Sequence, residues 1–473
     1  MSAAPADAGL PLARQLARFV VGTPADTIDA LAIERAAMSL ASTVASAAMG
    51  HGIASARLVR ELELHDGGRP DAGVWFTDAR LPQARAARVN ALASDAAASD
   101  DSDLRSIAHI GTIVSTVGLA VGQALGAGGR ELLAAMVLGY EVAGRIDEAL
   151  TPGRMQRGFH GSVSTVFGAA VAAGRLMGLD ETRLAQAIAI AATSIGGMAI
   201  AADTSCAREY HAGMAAMAGL QAAQAAARGF EAEPAVLERP RGFLAAMGAQ
   251  AVDDITRGLG DSWDIVTDMA IKLMPGAHPF HATAEAAADA ARQGAVRPAD
   301  VERITISAAV QHTHFKGDPH PRNLVDAAHS LHYFVAAAIA DGGFDWPHMD
   351  EVRMADPVIA ALQDRVHFDP HPPPLPDRFP HRHGGSVTIR LHDGRTFSAT
   401  CRSPRGSGPR GVEWADVQAK CFRLLPRAGV GPARARACLE AIRALPQAAD
   451  LHALLPLLRA PDPSDPPAED TRA

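Results

Sequence analysis

Apolar residues recur at intervals of three and four positions from Leu10 to about Gly260. This spacing places them on one face of a helix, and Gly or Asp interrupts the pattern between successive segments. Strand-like alternation is nearly absent from this half of the chain. The pattern therefore predicts a series of helices over residues 27–49, 84–98, 130–150, 164–177, 181–192 and 211–228.

The pattern changes after Val301. Residues 303–307 and 386–391 alternate as strands do, and Asp393-Gly394 is a hairpin turn sequence that leads into 396–398. Residues 325–340 are expected to form a helix, 367–383 a loop, and 411–458 helices again. We therefore predict a mainly α fold with four parts: a large all-helical domain (1–267), an inserted smaller α/β lid (268–403), the returning helices (404–459) and a disordered tail (460–473).

Two nearly uncharged stretches, 110–129 and 184–202, approach the length of a membrane-spanning helix. They are rich in Gly, Ala, Ser and Thr, so we expect buried helices of a helical core and no membrane association. Composition supports a globular chain, because 48% of the residues are hydrophobic and 20% charged. The net charge of −8 and the lack of a basic run argue against a nucleic-acid partner.

The four cysteines form no CxxC pair, and the N-terminus lacks the pattern of a signal peptide, so a cytoplasmic protein is expected. P-loop, GxGxxG, GxSxG and HExxH motifs are absent. The pairs His312/His314 and His381/His383 could each face a metal on a strand, but neither has a third ligand at motif spacing. We therefore expect no metal and no cofactor.

Four segments place histidine, aspartate and basic residues at helix starts or beside glycine. Each residue has an ordinary structural explanation on its own, but together they favour a site for an anion. Only three of the 44 basic residues are lysines, and Lys272 is one of them, which makes its retention informative. The candidate residues are Asp100, Asp101, Ser102, His109, His160, Arg208, His211, Lys272 and His281.

These segments resemble the 2-methylcitrate dehydratase (MmgE/PrpD) family, which also includes cis-aconitate decarboxylase and iminodisuccinate epimerase. The resemblance extends from about Leu12 to about Leu455. It implies a helical domain with an α/β lid, a homodimer, and a site in the cleft between the two units. The segments that carry it are GYEVAGR (139–145), RGFH (157–160), AREYHAG (207–213), IKLMP (271–275) and DAAHSLHYFVAAAIADGG (326–343).

The family's catalytic loop reads H-A-x-D-F-D-D-T, and residues 95–102 match it in part. Asp100 and Asp101 are kept, and Ser102 keeps the hydroxyl of the threonine. Ala98 replaces the first aspartate, a main catalytic candidate of the family, and Asp95 replaces the leading histidine.

Outside the loop, Arg208 replaces the family's lysine, and this guanidinium can hold a carboxylate but does not readily release a proton. The remaining matches to family positions are His109, His160, His211, Lys272 and His281. The anion pocket is therefore expected to persist while the acid/base set is altered.

The resemblance implies a metal-independent lyase for a small di- or tricarboxylate, foremost a 2-methylcitrate dehydratase-like enzyme. Decarboxylation, epimerisation and a non-catalytic carboxylate-binding paralogue are the alternatives. His109 or His160 would move the proton. The expected catalytic residues are His109, His160, Lys272, Asp100 and Asp101. The expected substrate-binding residues are Arg208, His211, Ser102 and His281.

Overall fold

The computed structural model describes residues 9–461, apart from 106, 195, 314, 316, 374, 376–382 and 408–409. Helices dominate this part of the chain, which confirms the predicted mainly α fold. Most of the predicted tail lies outside the described residues. The α-helices are α1 Leu12–Gly22, α2 Ala30–Gly50, α3 Ala54–Asp66, α4 Gln83–Ala96, α5 Ile110–Leu125, α6 Gly129–Leu150, α7 Gly153–Gln156, α8 Ser162–Leu176, α9 Glu181–Ala191, α10 Ala199–Thr204, α11 Ala207–Ala227, α12 Phe243–Met247, α13 Asp264–Thr267, α14 His281–Gln293, α15 Leu324–Ala328, α16 Leu331–Asp341, α17 Glu351–Met354, α18 Pro357–Gln363, α19 Trp414–Leu424 and α20 Pro432–Ala444.

Small residues let the long helices before residue 268 approach one another closely. A Cβ atom on Gly139 of α6 would lie 2.7 Å from the Gly168 carbonyl oxygen of α8. A Cβ atom on Gly219 of α11 would lie 2.3 Å from the Val166 carbonyl oxygen of α8. Close packing of this kind leaves little room for larger side chains. Helices α2, α4, α5, α6, α8 and α11 consequently share one hydrophobic core.

Strands are short and sit mostly in the second half of the chain. One sheet has the order β6-β5-β7-β8, with β5 parallel to β6 and antiparallel to β7. The predicted hairpin between β7 and β8 is confirmed, with Gly394 at φ +87° in its turn. The strands are β1 Ala72–Gly73, β2 Arg80–Leu81, β3 Ser102–Asp103, β4 Met269–Ala270, β5 Val301–Ala308, β6 Val366–Phe368, β7 Gly385–Leu391 and β8 Thr396–Cys401.

Three sequence expectations need correction. Residues 325–340 form two helices instead of one. Helix α15 ends at Ala328, and Ser330 caps the start of α16 by accepting a hydrogen bond from the Tyr333 amide. Residues 184–202 do not form a continuous helix, since α9 ends at Ala191 and α10 begins at Ala199. The edge strand β6 lies at the start of the stretch expected to be a loop. Among the described helices, none combines the length and the apolar character that crossing a membrane requires.

Two hydrophobic cores organise the described chain. We call the helices before residue 268, together with α19 and α20, the body, because they supply the first core. We call α14–α18 with β5–β8 the lid, because they supply the second. Helices α19 and α20 pack against α2 of the body. The exact division at residues 268 and 403 stays a prediction.

A two-residue ladder connects the loop after α4 to the chain that enters the lid. Strands β3 and β4 pair in antiparallel fashion, with Ser102 opposite Ala270 and Asp103 opposite Met269. Residues 98–101 and Lys272 are thereby held side by side, although about 170 positions separate them in sequence.

The contact between α8 and α11 allows a stability test. We expect Gly219→Ala to lower the free energy of unfolding by about 1–3 kcal/mol, because the new methyl group would collide with backbone atoms of α8. Gly22→Ala is the matched control, since no atom lies within 4 Å of its added Cβ. Denaturant unfolding of both variants measures the difference. Equal stability of the two variants would refute the close-packing account.

Candidate active site

A cavity of about 750 Å³ lies between the body and the lid. The body contributes the ends of several helices, and the lid contributes the chain around α14 and the segment after β5. Many of its lining side chains are basic or imidazole groups. The polar ones include Arg105, His109, Arg154, His160, Asp203, Arg208, Lys272, His278, Gln311, His312, His329 and His383.

Three of the predicted histidines form a row on the body side. His109 precedes α5, His160 precedes α8, and His211 lies in the first turns of α11. The ring centres of His109 and His160 are 5.9 Å apart, and those of His160 and His211 are 6.1 Å apart. Burial lowers the pKa of His160 well below its usual value, and the neighbouring His109 acts in the same direction. Burial also lowers the pKa values of His109 and His211, so all three rings are neutral at neutral pH.

Hydrogen bonding fixes the tautomer of His109. Its Nδ1 atom lies 2.7 Å from the Asp101 carbonyl oxygen, which can only accept, so Nδ1 carries the proton. The Nε2 atom then keeps a free lone pair. Burial, assisted by the charge of Lys272, lowers the pKa of His109 to about 4. His109 is thus an oriented neutral base on the cavity wall.

Lys272 is only 3% exposed and lies against the loop at residues 98–100. Its Nζ donates to the Ala98 carbonyl oxygen at 3.3 Å and lies 3.7 Å from Asp100 Oδ1. Burial lowers the pKa of Lys272, and the charge of Asp100 opposes this shift. The ammonium group therefore lies close to a carboxylate and also lines the cavity.

Arg208 is held by a residue that sequence reasoning did not assign to the site. Its Nη2 donates to the carbonyl oxygens of Asp95 and Ala96 at 2.6 and 3.3 Å, and its Nε lies 3.4 Å from Asp95 Oδ1. Burial raises the pKa of Asp95, while Arg208 opposes the rise. Asp95 in the loop and Arg208 outside it both depart from the family pattern, and they are neighbours in the structure. Because 113 positions separate them, no local sequence pattern could have revealed the pair.

Ala98 is buried and adopts a left-handed conformation with φ +52°. Its methyl group belongs to the lid core and is not part of the cavity lining. Its carbonyl oxygen accepts hydrogen bonds from Lys272 Nζ and from the Gly276 amide. The backbone at this position therefore still orients Lys272, although the side chain can transfer no proton.

Asp100, Asp101 and Ser102 lie behind the cavity wall, buried to at least 99%. Asp101 Oδ2 accepts a hydrogen bond from Ser39 Oγ at 2.9 Å, and its Oδ1 accepts one from the Thr112 amide at the start of α5. Burial raises the pKa of Asp101 to about 6, and Asp100 adds to the rise. Asp100 and Asp101 therefore support Lys272, His109 and α5 from behind.

His281 does not line the cavity, whereas His278 does. The two rings stack at 4.9 Å, and burial lowers the pKa of His281 to about 3. A short 3₁₀ turn at His278–Phe280 precedes α14, and His278 at its start lines the cavity. The only sequence signal for His278 was its position three residues before His281. His329 and His383 also reach the cavity and were not expected from the sequence.

One group in the described residues has the spacing of metal ligands: Asp95, Asp100 and His109, whose ligand atoms lie within 4.8 Å of one another. Arg208 lies beside Asp95 and Lys272 beside Asp100, so both carboxylates already face a cation. The positive charges of Arg208 and Lys272 would repel a divalent metal ion. Of the HxH pairs, His312 and His383 line the cavity, whereas His314 and His381 lie outside the described residues.

Comparison with known proteins accords with this arrangement. Residues 14–255 match the MmgE/PrpD N-terminal domain, and residues 274–446 match the MmgE/PrpD C-terminal domain. The chain belongs to the MmgE/PrpD family. The cis-aconitate decarboxylases of Homo sapiens and Mus musculus are 28% identical to it over 405 and 406 residues, which is 83% of this chain and 83% and 82% of theirs. The cis-aconitate decarboxylase of Aspergillus terreus is 28% identical over 222 residues, 44% of this chain and 45% of its own.

The contact between Asp95 and Arg208 in this MmgE/PrpD protein allows a binding test. Asp95→Asn removes a negative charge next to Arg208 and keeps the backbone carbonyls that hold the guanidinium. We expect citrate, used as a probe, to bind roughly tenfold more tightly, since less charge opposes it. Calorimetric titration measures the change, with Asp300→Asn at an exposed ion pair as the control. Weaker citrate binding by Asp95→Asn would contradict this account of the site.

Proposed function

We propose that this protein is a metal-independent lyase that acts on a small di- or tricarboxylate. One observation carries the proposal: the neutral base His109, the buried ammonium of Lys272 and the guanidinium of Arg208 all line one cavity. Arg208 and Lys272 provide the positive charge that carboxylates need. A neutral imidazole beside them can move a proton at a carbon next to a bound carboxylate.

The roles follow from the contacts. Arg208, fixed by carbonyl oxygens, orients one substrate carboxylate. Lys272 stabilises the negative charge that develops on a second carboxylate as the neighbouring carbon loses or gains its proton. His109 accepts or delivers that proton at Nε2, and its Nδ1–H bond to the Asp101 carbonyl keeps the ring in place. His160 and His211 extend the row of neutral rings away from His109.

Dehydration and decarboxylation use this set differently. In dehydration, His109 would take the C–H proton and Lys272 would protonate the departing hydroxyl group. In decarboxylation, CO₂ would leave, and the electron pair left on carbon would take a proton from the site. The resemblance to the family favours a 2-methylcitrate dehydratase-like reaction. The relatives that align over 83% of the chain are cis-aconitate decarboxylases, which supports decarboxylation as the second candidate.

Epimerisation and non-catalytic carboxylate binding are the remaining alternatives. Non-catalytic binding is considered because the side chain of Ala98 cannot transfer a proton. The retained base and cations favour catalysis over binding alone. The homodimer and the cytoplasmic location expected from the sequence are part of the same proposal.

Turnover assays on a panel of carboxylic acids test the proposal. A thermal-shift screen with citrate, 2-methylcitrate, cis-aconitate and related acids selects the compounds that bind. Proton NMR then distinguishes loss of water, loss of CO₂ and inversion at carbon in one experiment. We expect turnover of at least one acid without added metal and in the presence of a chelator. Binding without any turnover would support the non-catalytic alternative, and the absence of binding would refute the site.

Lys272 is the residue whose replacement should separate binding from catalysis. Lys272→Arg keeps the charge but releases a proton far less readily, so we expect kcat to fall roughly 10²–10⁴-fold with a small change in KM. Lys272→Met should weaken both substrate binding and turnover. Steady-state kinetics on the identified acid measure the effects, with exposed Arg390→Met as the control. A fully active Lys272→Arg would assign proton transfer to the histidines alone.

A further inference from the structure

A second buried lysine lies on the far side of the loop that carries Asp100 and Asp101. Lys420 of α19 is 3% exposed. Its Nζ donates to Ser42 Oγ at 2.9 Å and to the Ser99 carbonyl oxygen, and it lies 5.5 Å from the centre of the Trp346 ring. A buried ammonium group is costly unless nearby negative charge and hydrogen bonds compensate it. This position in the body therefore requires an explanation.

Helix α2 presents a polar face to the same loop. Ser39, Ser42 and Ser46 are spaced by three and four residues, so they share one side of the helix. Ser39 donates to Asp101 Oδ2 and Ser46 donates to the Ser99 carbonyl oxygen, each at 2.9 Å. Ser42 accepts from Lys420. Three buried serines and one lysine thus support the backbone and one carboxylate of this loop.

The loop consequently lies between two lysines. Lys272 binds the carbonyl oxygen of Ala98 from the cavity side, and Lys420 binds the carbonyl oxygen of the next residue, Ser99, from the opposite side. The chain has only three lysines among 44 basic residues, and two of them are buried against this one loop. The third, Lys316, lies outside the described residues.

We propose that Lys420 is a positioning residue of the active site, which holds the loop at residues 98–101 and balances the charges of Asp100 and Asp101. Lys272 then keeps its ammonium group at the cavity wall, and the Asp101 carbonyl oxygen keeps its bond to His109. Lys420 does not line the cavity, so its effect on substrate passes through the loop. This inference rests on the proposed lyase function.

The electrostatic surroundings give the proposal a distinctive pH dependence. Burial lowers the pKa of Lys420 to about 7, and Asp100 and Asp101 oppose the shift. Cys421 on the same helix also opposes the shift, whereas Lys272 across the loop adds to it. Lys420 is charged below its pKa and neutral above it. We therefore expect kcat to fall above about pH 7 as the loop loses its compensating charge.

The test compares Lys420→Gln and Lys420→Arg with the control Cys421→Ala. Gln keeps a hydrogen-bond donor without charge, and Arg keeps the charge at every accessible pH. Cys421 is the next residue of α19 and contacts the Ala41 carbonyl oxygen of α2, so its replacement disturbs the same helix contact but not the loop. Circular dichroism first establishes that each variant is folded.

Two measurements on the full-length protein follow. Hydrogen–deuterium exchange of residues 96–103 should increase in Lys420→Gln and stay unchanged in Cys421→Ala. On the identified acid, kcat of Lys420→Gln should fall roughly 10- to 100-fold with little change in KM, since the loop is displaced rather than the binding cations removed. The kcat of Lys420→Arg should be higher than that of Lys420→Gln, and it should not show the fall above pH 7 that we expect for the unmodified protein.

The outcomes separate this inference from the proposed function. Hydrogen exchange needs no substrate, so unchanged protection of residues 96–103 in Lys420→Gln would overturn the inference even if the protein is an active lyase. Equal losses of kcat in Lys420→Gln and Cys421→Ala would also overturn it, because they would indicate a general structural role. Increased exchange confined to Lys420→Gln would support it even if no acid were turned over.

Discussion

The pairing of buried charges around the loop at residues 98–101 is the constraint on which the site depends. Removing Asp95, Asp100, Asp101, Lys272 and Arg208 from water costs free energy that only opposite charges and hydrogen bonds can offset. The described structure meets this requirement from three directions: α11, the chain entering the lid, and α2 with α19. In this position of the loop, Asp95 and Asp100 each face a cation, and Asp101 accepts two hydrogen bonds.

This arrangement also explains how the site accommodates its departures from the family loop. Ala98 contributes no carboxylate, but its carbonyl oxygen still binds Lys272. Asp95 places a carboxylate three residues earlier and close to Arg208, so the loop remains acidic. The altered residues thus change the set of groups that can transfer a proton. They change the charge of the site less. His109 is the base whose geometry is best defined, because a backbone carbonyl fixes its tautomer.

Local patterns in the sequence predicted helices α2, α4, α5, α6, α8, α9 and α11 of the body and strands β5, β7 and β8. The resemblance to the family brought His109, His160, Arg208 and Lys272 together. The sequence patterns did not predict the break between α15 and α16. The only signal there was Ser330, a serine N-cap inside an apolar run. The contacts of Arg208 with Asp95 and of Lys420 with Ser99 join residues 113 and 321 positions apart, so tertiary packing alone creates them. The sequence also did not predict that His278, and not His281, lines the cavity, because this difference arises from a short 3₁₀ turn at His278–Phe280.

The protonation state of His109 tests the account most directly. Nitrogen-15 NMR of the histidine side chains, with His109→Gln for assignment, reports the charge and the tautomer of the ring. We expect a neutral ring at pH 7 with the proton on Nδ1, which becomes charged only near pH 4. A His109 imidazolium at pH 7, or a neutral ring protonated on Nε2, would contradict it, because neither leaves a lone pair on Nε2 to accept the substrate's proton.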